Sequence, residues 1–136
     1  MTSLKRDLVV VAAAVSAGIH GALAPDHLRE RAAAGGGFVA ATLLLATSVV
    51  LLTHVPESVW ALVVAALVFA GLLAGYALAV TIGLPLLHPE PEPVDGLGLV
   101  TKAVEAVGLA LSLDLVRSRR PARLPFSPDR TGGLRT

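Results

Sequence analysis

The sequence contains no cysteine. Disulfides, thiolate metal centres and a cysteine nucleophile are therefore excluded, and any metal chemistry falls to His, Asp and Glu. Charge is also scarce. Asp, Glu, Lys and Arg make up 15% of the 136 residues, against about 25% in an average soluble domain, and they crowd into the ends and the loops. No glycine-rich phosphate loop, serine-nucleophile context or long soluble domain is present, so the chain reads as a non-enzyme. The last twenty residues, broken by Pro and Gly, offer no folded module for nucleic acid, which is excluded as a partner.

What the chain has in quantity is apolar surface, with 54% hydrophobic residues and a mean hydropathy of +0.75. A helix needs about 20 apolar residues to cross a hydrocarbon layer of roughly 30 Å. Four segments approach or meet that length: 8–24, 36–54 with the GGG at 35–37 in the interface, 59–84 and 97–116. The breakers lie between them, at Pro25 and GGG, at HVPES (54–58) and at PLLHPEPEPVDG (85–96). Proline lacks the helical N–H and glycine adds conformational freedom, so both end helices. The expected fold is an all-α integral membrane protein: a four-transmembrane-helix bundle (1–116) with a short amphipathic segment between helices 1 and 2. An Arg-rich flexible tail (117–136) follows.

Lys and Arg counts set the expected direction. Lys5 and Arg6 precede span one, and the tail carries six arginines against one aspartate. Arg29 and Arg31 in the first loop are the opposing vote, and both termini are expected in the cytoplasm. The tail's arginines would attract anionic lipid, at roughly 1 kcal/mol each near the surface. Ala22-Leu23-Ala24 has the small residues of a signal-peptide cleavage site. Pro25 would then supply a tertiary amide nitrogen to the bond being cut, so span one is expected to stay.

That topology gathers ionisable residues on the extracytoplasmic side. His20 lies roughly 7 Å inside the end of span one, with Ser16 one turn below it. Pro25 suits the first turn of a new helix, PDHLRERAAA, where the dipole favours Asp26. His27 and Glu30, three apart, share a face and offer two ligands to one ion. The break at Pro25 leaves the relation of His20 to His27 open. On span four, Thr101, Glu105, Gly108 and Ser112 form a polar or small stripe. Glu105 lies at about the depth of His20, Lys102 is one turn outward, and Tyr76 of span three reaches a similar level. Gly71 and Gly75 have a spacing that permits close helix contact. Ionisable groups inside spans are costly and mark functional sites. Asp114 with Arg117 reads as a rim pair and His54 as a loop residue, while His88 joins the outer group.

The run His20-Gly-Ala-Leu-Ala-Pro-Asp26-His27 resembles the His-x4-Asp-His signature of nickel and cobalt permeases, in which such a helix supplies metal ligands. Five residues rather than four separate His20 from Asp26, which turns a helical position by about 100°. Those permeases are longer and have more spans. From Leu8 to Val116 the chain is also similar to small four-span bacterial membrane proteins, through His20, Pro25-Asp26-His27 and Lys102 with Glu105. That likeness implies a multi-pass protein of the bacterial plasma membrane and carries no assigned activity.

Three functions follow as expectations. The first is binding of Ni, Co, Zn or Cu at the outer face through His20, Asp26, His27, Glu30 and Glu105, with His88 as a further donor. Transport of such an ion would need a homo-oligomer or a partner membrane protein. The second is a non-catalytic accessory or structural subunit of a membrane complex. The third is proton or haem handling by His20 and Glu105.

Overall fold

A computed structural model describes residues 2–85 and 89–119 of the chain. Four helices follow one another: α1 (Thr2–Glu30), α2 (Ala32–His54), α3 (Val59–Thr81) and α4 (Gly96–Ser118). Each packs antiparallel on the next, and α4 closes the ring against α1. Three stretches, Ser3–Glu30, Ala32–His54 and Val59–Thr81, are long and apolar enough to cross a membrane. The chain is thus a helical membrane protein. α4 does not join that set, because Lys102, Glu105, Asp114 and Arg117 interrupt its apolar sequence.

Local chemistry starts and stops the helices where the breakers lie. Ser58 caps α3 by accepting from the Ala61 N–H, and Asp95 caps α4 by accepting from the Gly98 N–H at 2.7 Å. Each cap satisfies one of the backbone donors left free in a first turn. The shared core is Val9, Ala12 and Ala13 of α1, Leu45 and Leu52 of α2, Ala61, Leu62, Ala65 and Phe69 of α3, and Leu115 of α4. Phe69 is fully enclosed because α4 presents Gly108 to it; a Cβ there would sit 2.5 Å from the ring.

Pro25 does not end α1, contrary to the sequence expectation. The helix runs through it to Glu30, so no separate amphipathic segment lies between helices 1 and 2. A proline inside a helix removes one N–H bond and crowds the carbonyl four residues earlier. That residue is Gly21, held against Thr42 of α2, and packing by a neighbouring helix is what lets membrane helices tolerate proline. The turn itself is a single extended residue, Arg31, with φ −157° and ψ 115°. So short a link holds the two backbones together: a Cβ on Gly35 would collide with the backbone of Leu28. At the other boundaries α3 ends at Thr81 rather than at 84, and α4 runs two residues past 116.

Candidate functional site

α1 and α4 meet along a polar seam. Ser16 and His20 are buried on α1, and Thr101, Glu105, Gly108 and Ser112 are buried on α4. The stripe expected on span four is therefore the face that α4 turns inward. Thr101 and Ser112 return their hydroxyl protons to the Leu97 and Gly108 carbonyls, each at 2.7 Å, which leaves Glu105 as the charged centre of the seam.

Both carboxylate oxygens of Glu105 are engaged. Oε1 accepts from the Ser16 hydroxyl at 2.7 Å, and Oε2 accepts from the Lys102 ammonium at 2.6 Å. The Glu105 side chain is completely enclosed and that of Lys102 is 14% exposed. Hydrogen bonds that involve an ionised group are short and strong, and a buried carboxylate requires them.

His20 stands beside this pair with a determined orientation. Its Nδ1 lies 2.9 Å from the Ser16 backbone carbonyl, an oxygen that can only accept. In the neutral ring Nδ1 therefore carries the proton and Nε2 presents a lone pair. That Nε2 is 4.0 Å from Glu105 Oε1. Two acceptors face each other across a gap too long for a direct hydrogen bond.

The other expected ligands lie elsewhere. With α1 unbroken, His20 and His27 share a face at i, i+7, yet Phe38 of α2 stands against both. Its ring stacks on His27 at a centroid distance of 4.0 Å and lies 5.5 Å from the His20 ring. His27 Nδ1 is held 2.9 Å from the Leu23 carbonyl. Asp26 pairs with Arg29 on the surface at 2.8 Å, and Glu30 ends α1 exposed. His88 lies outside the described residues. Among the described residues no three His, Asp or Glu side chains gather closely enough to hold an ion between them, so the pair that meets is His20 and Glu105.

Two further side chains complete the neighbourhood. Lys102 Nζ lies 5.5 Å from the centroid of the Tyr76 ring, within the range of a cation–π contact. The Tyr76 hydroxyl is enclosed and has no hydrogen-bond partner among the described residues. At the opposite end, Asp114 pairs with Lys5 of α1 at 2.7 Å rather than with Arg117 as expected. Arg119 reaches the Pro56 carbonyl at 3.2 Å and Glu57 at 3.8 Å. The described ends of α1 and α4 and the α2–α3 turn therefore lie together, with His54 beside them, exposed and tied to the Val50 carbonyl.

Phe38 was missed in the sequence, although it is the one aromatic residue of α2 in a chain with 4% aromatics. No family model, curated protein or solved structure matches the chain.

Proposed function

We propose that the protein is a four-pass protein of the bacterial plasma membrane, with both termini cytoplasmic, that binds a divalent transition metal between α1 and α4. In this reading α4 crosses the membrane as the partner of α1, and His20 and Glu105 supply the ligands from the chain. The observation that carries it is His20 Nε2 lying 4.0 Å from Glu105 Oε1, with Nδ1 committed to a backbone carbonyl. A hydrogen bond from the second ring nitrogen is the usual means of orienting a histidine ligand. A nitrogen and a carboxylate oxygen suit Ni, Co, Zn or Cu, with water or a second subunit completing the shell.

Lys102 opposes that ion. A dication about 5 Å from an ammonium costs on the order of 6 kcal/mol at an effective dielectric constant of about 20. Occupation therefore requires the Lys102 head to leave Glu105, which its flexible stem permits. The protein, purified in detergent without a His-tag and exposed to Ni, Co, Zn and Cu in turn, should retain about one ion per chain by mass spectrometry. His20→Ala should retain none. Equal metal content in the two proteins would refute the reading.

The second reading is a non-catalytic accessory subunit of a membrane complex. It is favoured by the neutralisation of Glu105 within the chain, through Lys102 and Ser16, which makes the seam self-sufficient. Its mark is co-purification with a partner membrane protein that survives His20→Ala.

A further inference from the structure

Lys102 donates directly to Glu105, and it lies over the ring of the tyrosine whose hydroxyl has no partner among the described residues. The two facts belong together chemically. An ammonium is a donor three times over, and a phenolic oxygen accepts. A buried hydroxyl left without a partner is costly, so each such group calls for an explanation. The space beside it is kept open by Gly98, one helical turn before Lys102 on the same face of α4. A Cβ there would stand 3.2 Å from the Tyr76 oxygen.

We infer that Lys102 is a tethered counter-ion with two stations, Glu105 Oε2 and the Tyr76 hydroxyl, and that a cation taken up by His20 and Glu105 moves it from the first to the second. The trigger rests on the metal reading above; the two stations do not. At the first station the ammonium balances the carboxylate's charge while no other cation is present. At the second it donates to the Tyr76 oxygen and keeps its place over the ring edge, so the charge displaced by the ion stays solvated by the protein. The ion's affinity is then set partly by a residue that never touches it. Tyr76 acts as a positioning residue for the displaced lysine.

Tyr76 is the only tyrosine of the chain, so 3-fluorotyrosine labelling yields a single fluorine resonance. Without metal, Glu105→Gln abolishes the first station's charge while leaving an acceptor for Ser16. Its resonance should shift from that of the wild type, and the shift should vanish when Glu105→Gln is compared with the parent on a Lys102→Met background. A shift that persists on that background, or no shift in Glu105→Gln, overturns the two stations whatever zinc does. Zinc added to the wild type should move the resonance in the same direction as Glu105→Gln. A wild type that binds no zinc, beside an intact Glu105→Gln shift, sinks the metal reading and the trigger while leaving the stations standing. Tyr76→Phe supplies a check that does not depend on folding of the Glu105 variant, because the hydroxyl it removes makes no hydrogen bond among the described residues. It should melt no lower than the wild type does, since the hydroxyl lost has no partner among those residues to leave behind, and bind zinc severalfold more weakly; unchanged affinity would overturn the inference.

Discussion

The seam between α1 and α4 and the contact between α2 and α3 hold the same bundle together by different means. At the seam Ser16, Glu105 and Lys102 join in one buried chain of hydrogen bonds, and Lys5–Asp114 repeats the pairing at the far end. Between α2 and α3 the surfaces are apolar and part into an open groove of about 260 Å³, lined by Leu44, Leu67, Val68, Gly71 and Leu72. Lipid tails are as apolar as leucine, so an aliphatic face can exchange a helix for lipid at little cost. A carboxylate has no such substitute. The polar seam therefore dictates which helices must be neighbours, whereas the apolar pair leaves the choice loose.

Breaking one half of the buried pair should have the largest effect. Lys102→Ala leaves Glu105 charged and enclosed, and should cost about 3–5 kcal/mol in unfolding experiments in detergent. Lys102→Met combined with Glu105→Leu removes both charges and should recover most of that loss. A double variant no more stable than Lys102→Ala would show that the pair is not what binds α4.

Filling the α3–α4 contact sterically comes next. Gly108→Leu forces a side chain into the Phe69 ring, which is fully enclosed, and should lower stability by about 1–3 kcal/mol. Full tolerance would mean that α3 and α4 approach less closely. Lys5→Ala should cost less, roughly 0.2–1 kcal/mol, because the Lys5 and Asp114 side chains are 37% and 53% exposed. Its effect should also fade with added salt. Smallest of all is Leu67→Ala in the groove: the residue is 67% exposed, and the change should stay within about 0.5 kcal/mol. A Leu67→Ala cost that rivals Lys102→Ala would erase the distinction between the two contacts.

Much of the seam was legible in the sequence, because helical spacing alone puts Thr101, Glu105, Gly108 and Ser112 on one face and Ser16 under His20. The breakers at 54–58 and, among the described residues, at 85 and 89–96, with the order of the helices, were legible for the same local reason. What escaped depends on contacts between helices. Pro25 reads as a stop from its own chemistry, and only the packing of α2 against Gly21 and Leu28 carries the helix through it. Lys5 finding Asp114 is a matter of register between α1 and α4, which no single-helix spacing contains. Phe38 standing against His20 and His27 depends on a hairpin turned by the one residue Arg31. Three of the five expected ligands, Asp26, His27 and Glu30, were drawn in by nearness in sequence, and the folded hairpin holds them apart from Glu105.

The most direct measurement is a calorimetric titration of zinc into the detergent-solubilised wild type and Lys102→Met. About one ion per wild-type chain is expected, with binding to Lys102→Met tighter by roughly tenfold or more, since the competing ammonium is gone. Absence of binding in both proteins, or weaker binding in Lys102→Met, would contradict a cation site at His20 and Glu105.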